Sequence, residues 1–402
     1  MRLSCIYIVI FLCLLQLHNN DAQSDGYYDL EVPAGVHSMC WDANSNLWAG
    51  GIFNIAGTEQ ALNLARYNPS TGVWDRPLSV GVNTTFELMT NNSEMDEEEL
   101  MGVVKVLKCP TTGNYLYVGG FFSYAYTYSD SAVTPSDGSA DMTLDQHTRV
   151  NNYFRYDTVN DVIEPLYPSS TNTTDDYNGF RNTGSDAGYV GAVECANTEC
   201  TKAYVGGLFD AAVGVFSLNN VVYLDGSDWT APTITEIGLN SANFDSTECS
   251  SPVYGADGHV LSIEVVDTDL VLIGGAFLKA GCSPSSALVR YIPSTDKIEC
   301  VQRGTAAVCG QSASSMALCC YSIIGPIQVI ERVSTTSAVV GGYFNSYDSQ
   351  GSEIEGAVLV TQSDSTAYTF VGGGNIAPIF YDAGASSNSY PRFFQAQGKS
   401  FI

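Results

Sequence analysis

Charge is what this 402-residue sequence has least of: Asp, Glu, Lys and Arg make up 15% of it, and only 16 residues are basic against 43 acidic, a formal net charge of −27. The shortage of cations excludes nucleic acid and anionic membrane surfaces as partners, because both need a basic face. It leaves cations, basic proteins and plain solubility. Histidine is scarcer still, and after residue 22 it is found only at His37, His147 and His259. His-x-x-x-His, Cys-x-x-Cys and clustered Cys/His spacings are all missing, which excludes the usual transition-metal sites. There is no P-loop and no dinucleotide fingerprint; Gly372-Gly373-Gly374 stands in β-type sequence without a following helix. Gly310-Gln311-Ser312-Ala313-Ser314 lacks the last glycine of a nucleophile elbow and its strand-to-helix setting. No catalytic residue is singled out. Beyond the first residues no run reaches the roughly 20 apolar residues of a spanning helix, and the last residues carry neither a stop-transfer segment nor a lipid-anchor tail.

What is present begins with a short apolar run, Ile6 to Leu17, after Arg2 and ahead of a small residue at Ala22. Residues 1–22 read as a secretory signal peptide, leaving 23–402 as the mature domain. Secretion fits the cysteines. Cys5 and Cys13 leave with the signal, and ten remain: Cys40, Cys109, Cys195, Cys200, Cys249, Cys282, Cys300, Cys309, Cys319 and Cys320. An even number in an oxidising compartment implies disulfides. Cys195 and Cys200 flank a turn and are the candidate pair to staple it. Cys40, Cys109 and Cys195 precede their Gly-Gly pairs by 10, 10 and 11 residues, and neighbouring repeats are expected to hold them too far apart to bridge. Asn83, Asn91 and Asn172 open glycosylation sequons.

The organising feature is a repeated phrase. LWAGGIF, LYVGGFF, AYVGGLF, LIGGAF and VVGGYF carry the pairs Gly50-Gly51, Gly119-Gly120, Gly206-Gly207, Gly274-Gly275 and Gly341-Gly342, at steps of 69, 87, 68 and 67 residues. A β-type run precedes each pair across a turn. A third run follows, clearest in Leu64–Trp74 and Leu288–Ile298, and a turn leads into a fourth. Four short antiparallel strands per unit is the content of a β-propeller blade. The sequence therefore predicts an all-β propeller with five repeats and a partial sixth, Gly398 to Ile402 supplying a first strand that pairs with Tyr27–Val32 or begins a longer array. A β-solenoid is the alternative, but its coils repeat at shorter intervals. The paired glycines are expected at a strand end, where they permit a tight bend and close backbone approach, with the following Phe packed between blades. Repeat two is longer by a polar loop, Ser123–Thr148, holding Asp130, Asp137, Asp141 and Asp145.

The strand, Gly-Gly-x-Phe and ALxRYxPSTGxW order resembles the extracellular propeller repeats of the fungal cortical cell-polarity marker family, and more distantly kelch and galactose-oxidase-like propellers. Residues 47–78 and 272–298 match best. The resemblance implies a propeller scaffold. It does not carry over copper oxidase chemistry, since the three histidines stand 110 and 112 residues apart.

No cofactor is expected. Calcium is the one ion with a candidate loop, Asp42, Asn44 and Asn46 at alternate positions, although Leu47 replaces its glycine and Phe53 its bidentate Glu, so a hairpin turn is favoured. The expected function is that of a secreted, non-enzymatic propeller binding an extracellular protein or glycan through loops at one face, or serving as an acidic matrix component. The alternative is a hydrolase or lyase using carboxylates at the central funnel.

Overall fold

The structure, a computed structural model, describes residues 35–81, 102–128, 144–167, 178–238, 253–301, 326–347, 353–362 and 368–371, apart from positions 54, 58, 184–187, 230 and 282–286. The signal, the three sequons, the elbow-like segment and the terminal strand expected at 398–402 lie outside these residues. The described chain is all-β, with a single 3-10 turn at Pro293–Thr295. Five four-stranded antiparallel sheets follow one another, each a meander with strands paired in chain order, the topology of propeller blades.

Blade 1 comprises Gly35–Trp41, Leu47–Ile52, Leu64–Asn68 and Val73–Asp75; blade 2 comprises Val103–Lys108, Tyr115–Phe121, Tyr153–Asp157 and Val162–Pro165. They belong to one compact unit, ending at Phe180. The second unit starts at Arg181 and holds three blades. Blade 3 is Tyr189–Cys195, Lys202–Leu208, Val221–Asp225 and Thr233–Glu236. Blade 4 is His259–Asp267, Leu270–Ala276, Leu288–Ile292 and Lys297–Cys300, and blade 5 is Ile327–Ser334, Ser337–Tyr347, Glu353–Gln362 and Tyr368–Val371.

The Gly-Gly pair lies inside the second strand rather than bending its end. Leu47–Ile52 is buried along its whole length, and neither glycine of a pair adopts the left-handed conformation. Two crowding constraints explain it instead. A Cβ on the first glycine would run into a side chain from the first strand of the next blade: Val104 for Gly50, Val260 for Gly206 and Ile327 for Gly274. On the second it would run into a carbonyl of its own blade's first strand: Gly35 for Gly51, Val103 for Gly120, Tyr189 for Gly207 and His259 for Gly275. That carbonyl is displaced because the first strand is bulged opposite every pair, with register shifts at Val36/Ser38, Val104/Val106, Val190/Ala192, Val260/Ser262 and Ile327/Val329. A bulge pushes backbone toward its partner strand, and glycine makes room.

Within each unit successive first strands lie side by side. Leu107 N–H donates to Ser38 Oγ at 3.0 Å, and Ile330 N–H to Ser262 Oγ at 2.8 Å. This neighbourhood corrects one sequence expectation: Cys40 and Cys109 are joined, with Cα atoms 5.6 Å apart. First strands approach far more closely than blade spacing suggests, and the pair falls within disulfide range. Cys195 and Cys200 are bonded across their turn, Cα to Cα 4.6 Å.

The third and fourth strands are tied by a cross-strand ion pair. Arg66 grips Asp75 through Nε–Oδ1 at 2.9 Å and Nη2–Oδ2 at 2.8 Å; Arg155–Glu164 and Arg290–Glu299 repeat the arrangement nine residues apart. The adjacent tyrosine reaches the preceding blade: Tyr156 meets Trp48 edge-on at 5.8 Å and Tyr291 meets Tyr204 at 5.9 Å. Their hydroxyls donate to Asp161 and Asp296, which hold the turns in the left-handed conformation.

Removing the inter-blade disulfide as Cys40→Ser/Cys109→Ser should cost up to about 4 kcal/mol by the loop-entropy relation, read as a lower urea midpoint. Gly275→Ala, forced against the His259 carbonyl, should cost about 3 kcal/mol or prevent folding, by the cost of overpacking.

Candidate functional site

The connections between second and third strands are fixed by an asparagine in blades 1 to 3, buried in blades 1 and 2 and half-buried in blade 3. Asn63, Asn152 and Asn220 stand immediately before a third strand in the left-handed conformation, with φ of 63°, 71° and 61°. Their Oδ1 atoms accept from the N–H of Phe53, Phe122 and Phe209, the Phe of each repeat. Their Nδ2 groups donate to the carbonyls of Val80, Phe180 and Ala256 in the linker leaving the same blade. One amide therefore pins loop and linker together. Blade 4 has Ala287 there instead, φ 70°, and keeps only the backbone bonds Gly275 N to Ala287 O and Ala287 N to Phe277 O, both 2.9 Å.

In the first unit the longer repeat is not wholly loop. Its ends form strands, Tyr124–Tyr128 and Leu144–Arg149, and the former also pairs with the linker strand Leu78–Gly81, giving a three-stranded sheet. Positions 129–143, with Asp130, Asp137 and Asp141, lie outside the described residues. In the candidate calcium loop, for which a hairpin turn is favoured, Asp42 faces protein donors. Its Oδ1 accepts from Asn44 N–H and Asn46 N–H, and its Oδ2 from Asn46 Nδ2 and Trp48 Nε1. That is the bonding of an Asx turn. Among the described residues no three His, Cys, Asp or Glu side chains gather as a metal site, and no helix is long and apolar enough to cross a membrane.

The bulges place unusual residues. Lys105 is the extra residue in the bulge of blade 2, as His37 is in blade 1. Burial alone pulls the Lys105 amine down to about 8. In blade 3 the bulge residue is Gly191, where a Cβ would press on the Tyr189 ring. Tyr189 reaches blade 4, its hydroxyl 2.8 Å from His259 Nδ1 and its ring 5.7 Å from the imidazole. Desolvation raises the Tyr189 hydroxyl well above the ordinary phenol range.

In the second unit, Ala211–Ala212 and Val215–Phe216 form a small hairpin; Val213 in its turn is buried and Gly214–Ser217 are exposed. The linker after blade 3 is bonded to the segment that follows it: Gly255 lies against the Asn219 carbonyl, which accepts from Ala256 N–H. The same linker pairs with Ala280–Gly281 of blade 4. Asp257 Oδ1 then accepts from Leu278 N–H at 2.8 Å and Lys279 N–H at 2.9 Å. Successive loops are thus braced to one another by backbone. Sequence patterning missed these parts, although two signals were there: an Asn before the third strand, and Arg followed nine residues later by Asp or Glu.

Comparison with known proteins adds little. No family model matches the chain, and no curated protein matches it. Among solved structures, a chain from a structure titled "Crystal Structure of Mitotic Checkpoint Complex" is similar at 10% identity and a TM-score of 0.37, covering 88% of this chain and 86% of that one. The blade assignment rests on the strand pairing above.

Lys105 yields a pH test. Its folded value, about 8, is below its unfolded value near 10.5, so between those pH values the unfolded chain binds more protons and stability rises with pH. Lys105→Met should be more stable than the parent at pH 7, by up to about 3 kcal/mol, and in denaturant titrations the gap should narrow above pH 8 and close only above the unfolded value near 10.5. An unchanged gap would mean the amine is solvated.

Proposed function

We propose that this chain is a secreted, non-enzymatic β-propeller that binds an extracellular protein or glycan partner through its braced second-to-third strand loops. The observation that carries the reading is the disulfide between Cys40 and Cys109, 69 residues apart. Together with the Cys195–Cys200 bond, it is a covalent pattern suited to an oxidising compartment. The apolar N-terminal run, the sequons at Asn83, Asn91 and Asn172, and a repeat phrase similar to that of extracellular cell-polarity marker propellers support the same address. Recognition by loops follows from the scaffold. Strand interiors are consumed by blade packing, whereas the loops of blades 3 and 4 have exposed positions at Gly214–Ser217 and Leu278 on backbone tied down by hydrogen bonds, which lowers the entropy lost on binding. The excess of 43 acidic over 16 basic residues favours a basic partner surface by charge complementarity and allows a role as an acidic matrix component.

Intact mass of the protein secreted by a eukaryotic host tests the reading. The expected product lacks residues 1–22, loses mass on deglycosylation and resists thiol alkylation at Cys40, Cys109, Cys195 and Cys200 until reduced. A full-length, unglycosylated product with those thiols free would place the protein in a reducing compartment and end the proposal.

A further inference from the structure

The two disulfides found among the described residues stand in opposite settings. Cys40–Cys109 spans 69 residues and joins two blades. Cys40 is 7% exposed within the core cluster that holds Trp48, Val104 and Leu107, and Cys109 packs against the same cluster. Cys195–Cys200 spans a separation of only 5, inside the turn between the first two strands of blade 3. That turn lies at the surface. Ala196, Thr198 and Glu199 are exposed and Cys195 is half-buried, while Cys200 is buried.

Hydrogen bonds close the same turn independently of the sulfurs. Ala196 N–H donates to the Lys202 carbonyl at 2.7 Å, and Cys200 N–H to the Asn197 carbonyl at 3.1 Å. The Asn197 side chain adds two more: its Oδ1 accepts from Lys202 N–H at 2.9 Å and its Nδ2 donates to Thr201 Oγ1 at 2.8 Å. The Thr201 carbonyl accepts from Gly226 N–H, just past the third strand, at 2.7 Å. Blade 1 closes its corresponding turn, residues 42–46, through hydrogen bonds to Asp42. Folding of the blade therefore does not depend on the Cys195–Cys200 bond. Once it is opened, the turn still holds the two thiols near their bonded separation, Cα to Cα 4.6 Å.

We propose that Cys195–Cys200 is a thiol–disulfide exchange site, opened and re-formed in the folded protein by an extracellular dithiol, while Cys40–Cys109 stays closed. The proposal takes its compartment from the reading above and adds a reaction to it. A thiolate of the dithiol attacks Cys195 Sγ, which belongs to the more accessible cysteine. The S–S bond breaks, its electron pair leaves on Cys200 Sγ, and that sulfur takes a proton from water. The second thiol of the dithiol, having lost its proton to solvent, attacks the dithiol's own sulfur in the mixed disulfide. Cys195 is released and protonated, so two electrons pass to the protein and the dithiol ends as a disulfide. Because the turn keeps its hydrogen bonds, the reverse exchange restores the same pair.

The test uses the full-length secreted protein at neutral pH without denaturant. It is treated with dithiothreitol for increasing times, quenched with N-ethylmaleimide and mapped by peptide mass spectrometry. Cys195 and Cys200 should become alkylated about tenfold faster than Cys40 and Cys109, by their difference in access, with an unchanged circular dichroism spectrum. Replacing the dithiol with oxidised glutathione should restore the bond. Cys195→Ser/Cys200→Ser should fold and lose less of its urea midpoint than Cys40→Ser/Cys109→Ser, because the loop closed is far shorter. Equal or slower opening of Cys195–Cys200, loss of the fold when it opens, or failure to re-form it would each overturn the exchange site while leaving a disulfide-bonded secreted protein in place. Free thiols at all four positions before treatment would end both readings.

Discussion

A bulged first strand pressed against a pair of glycines is the contact on which the rest of the structure depends. The bulge drives a carbonyl into the space where the second glycine's Cβ would stand, while the first glycine leaves a hollow that a Val or Ile of the next blade fills, at Gly50, Gly206 and Gly274. One dipeptide therefore settles pairing within a blade and spacing between blades. A Cβ would meet its neighbour at 2.3 Å on Gly50 and 2.0 Å on Gly275, and close-packed interiors do not absorb the necessary shifts cheaply. Once first strands are held this closely, a serine can accept a hydrogen bond from the next blade, and Cys40 can reach Cys109.

The asparagines of blades 1 to 3 carry that order outward to the loops. Each occupies a left-handed position, which asparagine tolerates better than most residues, and each spends both ends of its amide, on the repeat Phe N–H and on a linker carbonyl. An apolar residue there would leave a buried donor and a buried acceptor unpaired, a cost well above that of the strained backbone. Blade 4 shows the substitution already made: Ala287 retains the left-handed turn and the backbone bonds but has no amide. Its loop is braced by Asp257 instead.

Much of this architecture was legible in the sequence, because repetition multiplies weak signals. Gly-Gly-x-Phe marked the second strands, the Arg-Tyr phrase the third, and the intervals the blades. What stayed hidden depended on geometry between repeats. The glycines looked like a bend because glycine usually marks one; their service to an extended strand becomes visible only with the opposing bulge. Cys40 and Cys109 looked too distant because sequence shows the period of a blade but not how closely consecutive first strands run. The ends of the inserted segment looked like loop because Tyr124–Tyr128 finds its partner in Leu78–Gly81, across a large sequence gap.

Departures from the repeat are where specific roles can reside. Positions that obey it, the glycines, the Arg–carboxylate pairs and the blade-to-blade tyrosines, are accounted for by packing and hydrogen bonding shared among several blades. Lys105 and Gly191 differ from their counterparts at equivalent bulges, and each has a local consequence: a desolvated amine in one case, room for Tyr189 to reach His259 in the other. Likewise blade 3 keeps the asparagine of blades 1 and 2, whereas blade 4 has Ala287 and takes its bracing from Asp257. A repeat scaffold keeps its stability distributed over near-identical contacts, so a single blade can vary its loops without endangering the rest. That independence is what lets blade 4 give up the asparagine while its four strands keep the common pairing.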